Sequence, residues 1–103
     1  MSDEVTLGTA QWGALPVSYM EGTDWYSREE IMEAITHVSL HHPGITDNAP
    51  TGALLRVGRQ EEKGIKVAHL IWGEERIKFF YRERSATTKA LLVQVAEELE
   101  RWS

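Results

Sequence analysis

The stretch ALLRVGRQ-EEKG-IKVAHLIW-GE-ERIKFFYRE, residues 53–83, decides the fold. Three β-rich runs, 53–60, 65–72 and 75–83, are punctuated by Glu61-Glu-Lys-Gly64 and by Gly73-Glu74. A four-residue loop ending in glycine suits a hairpin, and Gly-Xaa is the residue order of a two-residue type II′ turn. Three antiparallel strands in a meander are the simplest outcome. The loop lengths then set the register: Gln60 stands opposite Ile65, Val57 opposite Ala68, Leu55 opposite Leu70, Trp72 opposite Glu75, Leu70 opposite Ile77 and Ala68 opposite Phe79.

That register sorts the side chains onto two faces. Leu55, Val57, Ala68, Leu70, Trp72, Ile77, Phe79 and Tyr81 form an apolar face for a core. The opposite face carries Leu54, Arg56, Gly58, Gln60, Ile65, Val67, His69, Ile71, Arg76, Lys78, Phe80 and Arg82, a mixture of apolar and basic groups without a carboxylate.

Helices are expected on both sides of the meander. Ser27-Arg-Glu-Glu30 has the form of a capping box, in which serine and glutamate satisfy each other's backbone donors, and Tyr26 with Ile31 has the spacing of a hydrophobic staple. Ile31, Ala34, Ile35 and Val38 continue as one apolar stripe, and Pro43-Gly44 stops the helix near Leu40. Residues 41–52 are dense in turn formers and read as a loop. From Thr87 to Trp102 a second amphipathic helix places Leu92, Val95, Leu99 and Trp102 on one face and turns Glu97, Glu98 and Glu100 to water. Ser85, Thr87 and Thr88 are natural caps for it.

Residues 1–26 read as an N-terminal arm of the same domain, able to add a strand at the edge, where Pro16 is tolerated. The expected architecture is therefore α+β: a two-layer sandwich of helix, three-stranded antiparallel meander and helix over residues 27–103. At 103 residues one domain is expected, large enough to fold without staples.

Charge is distributed unevenly. The chain carries −5 overall. Residues 1–55 hold one basic and eight acidic side chains, residues 56–89 nine and five, and residues 90–103 one and three, giving −7, +4 and −2. The meander is thus a basic segment between acidic ones. The absence of cysteine excludes disulfide scaffolds, thiolate nucleophiles and cysteine metal clusters. No leader of signal-peptide type and no apolar run of membrane-spanning length is present in this stretch, so a cytoplasmic protein is expected.

No catalytic motif stands out, and a non-enzymatic protein without cofactor or metal is expected. Gly58, Gly64 and Gly73 mark strands and hairpins, not a phosphate loop. His41-His42 with Asp47 lacks a third ligand at a recognisable spacing, and a histidine at a helix C-terminus is favoured electrostatically in any case. His41-His-Pro43 resembles a segment of the pterin carbinolamine dehydratases, but the preceding helix is shorter and the family's later motifs do not occur. His42-Pro-Gly-Ile-Thr46 is similar to the turn of winged-helix proteins, yet Pro50 and Gly52 interrupt the place of a recognition helix. The helix-strand-strand-strand-helix order resembles double-stranded RNA-binding domains, whose basic start of the last helix has only Lys89 as counterpart.

The second sheet face carries the functional expectation. Leu54, Val67, Ile71 and Phe80 are many apolar groups for a free surface, and three coverings fit: the arm through Val5, Leu7, Trp12 and Leu15, a second copy of the chain, or another molecule. Aliphatic groups set among arginine and aromatic anchors match protein interfaces. The expected function is a protein-binding module of inhibitor, immunity, antitoxin or accessory-subunit type, with homodimerisation possible through the same face, and with Arg56, His69, Arg76, Lys78, Phe80 and Arg82 as binding residues. The alternative is nucleic-acid binding on the same side chains, with Phe80 stacking on bases and the cations following phosphates. No membrane partner is expected.

Overall fold

A computed structural model describes residues 6–21, 27–60, 65–81 and 87–102. Five strands and two helices follow in the order β1 (Thr6–Trp12), β2 (Leu15–Glu21), α1 (Arg28–His41), β3 (Leu54–Gln60), β4 (Ile65–Trp72), β5 (Glu75–Tyr81) and α2 (Thr88–Trp102). They build an α+β fold around one sheet with spatial order β1-β2-β3-β4-β5.

The meander forms in the expected register, from Gln60 opposite Ile65 to Trp72 opposite Glu75. Gly73 has φ +63°, and among the described residues none other than glycine has positive φ. Glu74 therefore keeps negative φ, the combination a type II′ turn requires.

The sheet is larger than the expected three strands, and it is mixed. Residues of the N-terminal arm make a complete hairpin in which β1 and β2 pair antiparallel, and β2 then joins β3 in parallel through Val17, Ser18 and Tyr19. A parallel neighbour needs a long crossover, and α1 supplies it. β1 is the edge, while β2 lies inside the sheet. Pro16 fits there because the pairing with β3 begins one residue later, at Val17 opposite Leu55.

Strand alternation gives the hairpin a core face as well. Ala10, Trp12, Leu15, Val17 and Tyr19 are buried with Leu55, Val57, Ala68, Leu70 and Phe79. Trp12 is 1% and Leu15 0% exposed. These two residues belong to the core beneath the helices, so they do not cover the second face as one expectation had it. Val5 lies outside the described residues.

Both helices pack on this core face. The α1 stripe of Ile31, Ala34, Ile35 and Val38 is fully used, and α2 contributes Leu91, Leu92, Val95, Ala96 and Leu99. Trp102 departs from the expected stripe. At 37% exposure it sits at the end of α2 and meets Trp72 edge to face, with ring centroids 6.4 Å apart.

The capping box forms only by half. Ser27 accepts from the Glu30 backbone N–H at 3.1 Å. The Glu30 carboxylate, however, turns to Lys66 on β4 and Thr88 on α2, accepting from the lysine at 3.1 Å and from the threonine hydroxyl. Lys66 also donates to Thr88 at 3.1 Å. Two helix starts and a strand are tied together at this point, and a charged donor offers glutamate a stronger bond than a backbone amide does. Thr87 caps α2 by accepting from the Ala90 N–H at 3.2 Å. Ser85, Tyr26 and their expected roles lie outside the described residues.

The loop between α1 and β3 is latched to the first hairpin. Thr46 is buried, its hydroxyl donates to the Trp12 carbonyl at 2.6 Å, and its own carbonyl accepts from the Ala14 N–H at 3.3 Å. Gly13 lies directly beneath with φ +60°. A Cβ there would stand 2.3 Å from the Thr46 hydroxyl oxygen. Among the described residues no helix is long and apolar enough to cross a membrane.

Candidate functional site

The sheet face turned away from the helices runs across all five strands. Successive registers place Thr9 beside Ser18, Ser18 beside Arg56, Arg56 beside His69 and His69 beside Lys78. One residue from each strand thus forms a continuous polar row. Such cross-strand neighbours have Cβ atoms about 4.5–5.5 Å apart. On one side of the row lie Leu54, Ile71 and Arg76, and on the other Gly58, Val67 and Phe80.

The expected binding residues are brought together here. Arg56, Arg76 and Lys78 are exposed and His69 is half-buried. Phe80 is 46% exposed, large for an aromatic ring flanked by Val67. Arg82 lies outside the described residues. Leu54, Val67 and Ile71 are half-buried. Arg76 donates to the Glu74 carbonyl at 3.5 Å across its own turn. None of the described side chains on this face is a carboxylate, and the new strands extend that character with Thr9, Gln11, Pro16 and Ser18.

Sequence reasoning missed Ser18 and Thr9 as members of this face. A signal for them exists: Trp12-Gly13-Ala14-Leu15 repeats the Trp-Gly-Xaa pattern of Trp72-Gly73-Glu74-Glu75, and both turns pair their flanking residues with glycine at positive φ. The same Gly-Xaa rule applied to Gly13-Ala14 finds the first hairpin.

At the centre of the face is a depression of about 450 Å³ bordered by Ser18, Arg56, Gly58, Val67, His69 and Lys78. Tyr19, Val57 and Ala68 also border it, and their side chains are in the core, so they present main chain.

The histidines of α1 do not assemble a metal centre. His41 turns back along its own helix, with Nδ1 2.9 Å from the His37 carbonyl and its ring 4.3 Å from that of His37. His42 Nδ1 pairs with the Glu100 carboxylate on α2. Adjacent in sequence, the two rings serve different partners. Among the described residues no group of three or more histidine, aspartate or glutamate side chains is placed to hold a metal. The His37 imidazole is held below the usual histidine range by partial desolvation and then by His41, Lys89 and His42 nearby.

Comparison with protein-family models, curated proteins and solved structures gives no match. Function therefore has to be argued from the face itself.

Proposed function

We propose that this protein is a non-enzymatic binding module whose outer sheet face docks an acidic surface of another protein. In this reading the helices form one layer and the sheet the second, whose free side is the working surface in the cytoplasm. The observation that carries the proposal is the five-strand row from Thr9 to Lys78, which has two hydroxyls, three basic side chains and no acid, between half-buried aliphatic groups and the exposed ring of Phe80. Interfaces favour aromatic and arginine anchors in an aliphatic surround, and complementary charge selects the partner. A second copy is a poor occupant at the centre, because two-fold pairing of one basic row with itself brings like charges together.

The test compares wild-type protein with Arg76→Ala/Phe80→Ala and with a control, Met32→Ala/Leu40→Ala, that removes apolar groups exposed on α1. The expected result is one protein species retained from the native source by wild type and control and lost by the face variant at unchanged thermal stability. Retention by all three overturns the proposal. Nucleic acid is the competing occupant, favoured by the exposed Phe80 beside Lys78. Tight oligonucleotide binding with a steep salt dependence would replace the protein reading.

A further inference from the structure

We infer that the depression at the centre of the outer face is an oxyanion site that takes a phosphomonoester presented by the partner polypeptide. The inference rests on the proposed function and specifies what the face recognises.

Two independent observations converge on it. The first is uncompensated positive charge. Arg56, His69 and Lys78 are consecutive members of one cross-strand row. Arg56 and Lys78 carry full charges on either side of the His69 ring, two strands apart. Among the described residues the ion pairs are Lys66 with Glu30, Arg101 with Glu98, and His42 with Glu100. No described carboxylate lies within ion-pairing distance of Arg56, His69 or Lys78. A bound dianion would supply the counter-charge that no described carboxylate offers these cations.

The second observation is Gly58. Glycine inside a strand weakens it relative to alanine and often marks a place where a ligand or another backbone approaches closely. Gly58 does not have positive φ, and among the described residues a Cβ built on it would meet Val67 Cγ2 alone, at 4.0 Å. Neither its backbone conformation nor the packing of the described side chains demands glycine there. Its effect is to leave the depression open beside Arg56 and Val67, with Ser18, another small side chain, at the border.

The donors favour a tetrahedral anion. Ser18 supplies a hydroxyl from β2, Arg56 a guanidinium fork from β3, and Lys78 an ammonium from β5, with the His69 ring between the last two. Donors from three strands can meet the three terminal oxygens of a phosphomonoester, and two full cations match its double charge. A long polyphosphate is the weaker candidate. The row is flanked by Leu54 and Ile71 on one side and by Val67 and Phe80 on the other, so the charge does not continue along the strands as a track, and the whole chain carries −5.

Titration of the isotopically labelled full chain with inorganic phosphate, against acetate and chloride at equal ionic strength, tests the site. Saturable amide shifts centred on Ser18, Arg56, Gly58, Val67 and Lys78 are expected with phosphate alone. Arg56→Gln/Lys78→Gln should weaken binding at least ten-fold. Gly58→Val should fill the depression and abolish binding while melting no lower than wild type, which a purely structural glycine would not allow. A phosphoserine peptide should bind more tightly than its unphosphorylated form and than a single-stranded oligonucleotide of equal length.

Equal effects of acetate and phosphate, shifts scattered over the surface, or undiminished binding by Gly58→Val would overturn the inference, and preference for the oligonucleotide would overturn the polypeptide source. Failure of phosphate to bind while Arg76→Ala/Phe80→Ala still loses the partner would refute the oxyanion site and leave the proposed function intact. Phosphate binding with no loss of partner in that variant would do the reverse.

Discussion

Replacing Gly13 by alanine tests how the first hairpin is seated on the sheet. Two costs add. An L-residue at φ +60° in this turn is strained by about 1–3 kcal/mol. The new Cβ, 2.3 Å from the Thr46 hydroxyl oxygen, also displaces that hydroxyl from the buried Trp12 carbonyl it donates to. Leaving a buried acceptor unsatisfied costs about 1–3 kcal/mol. The total is about 2–6 kcal/mol, and each kcal/mol lowers the melting temperature of a domain this size by roughly 4–8 °C.

A double-mutant cycle with Thr46→Ala separates the two costs. With the hydroxyl gone, Gly13→Ala meets the Asp47 carboxylate at 2.9 Å, the far end of an exposed side chain that can swing away, and only backbone strain remains. Its penalty in that background should fall by at least about 1 kcal/mol. Urea unfolding of the four proteins measures this, with an unchanged slope confirming that the unfolded states compare. Strict additivity, or a Gly13→Ala cost below about 0.5 kcal/mol in wild type, would refute the latch. The site depends on it, because the hairpin carries Ser18 to Arg56 through only three parallel pairs.

Other outcomes follow from single contacts. The Tyr19 hydroxyl is buried without a hydrogen-bond partner among the described residues, so Tyr19→Phe should leave the melting temperature unchanged or raise it; a clear drop would reveal a partner. Gly8→Ala should destabilise strongly, because its Cβ would stand 2.4 Å from the Tyr19 ring, and Gly8→Ala/Tyr19→Val should recover part of the loss. Lys66→Met removes the donor shared by Glu30 and Thr88 and should cost about 1–2 kcal/mol, less in high salt because Glu30 is partly exposed; no change would mean the two helix starts are held by packing alone. His37 has a lowered pKa in the folded chain, so between that value and the ordinary 6.5 the unfolded chain binds more protons. Stability should therefore fall as pH drops below about 6.5, and His37→Gln should flatten that slope in pH-dependent unfolding; an identical slope would refute the contribution.

Much of the fold is legible from local rules. Gly73-Glu74 and the four-residue turn before Ile65 set the meander to the residue, since loop length and turn type act locally and a one-residue slip would put the whole apolar set into water. The α1 stripe is equally local, because the helical period alone brings Ile31, Ala34, Ile35 and Val38 together. Glu30 is the counterexample. Its spacing from Ser27 describes a capping box, but the partner it takes comes from strand and helix residues 36 and 58 positions away.

The sequence by itself determined the two faces of the meander, because alternation and register need no information beyond neighbouring residues. Arg56, His69, Arg76, Lys78 and Phe80 were therefore identifiable as one surface. Only the tertiary structure decided what lies beside them. The parallel pairing of β2 with β3 is a non-local choice, made by burying Trp12, Leu15 and Val17 in the common core and by latching Thr46 to Trp12. That choice makes the hairpin part of the sheet, puts Ser18 next to Arg56, and extends a basic meander into a five-strand row beside Gly58.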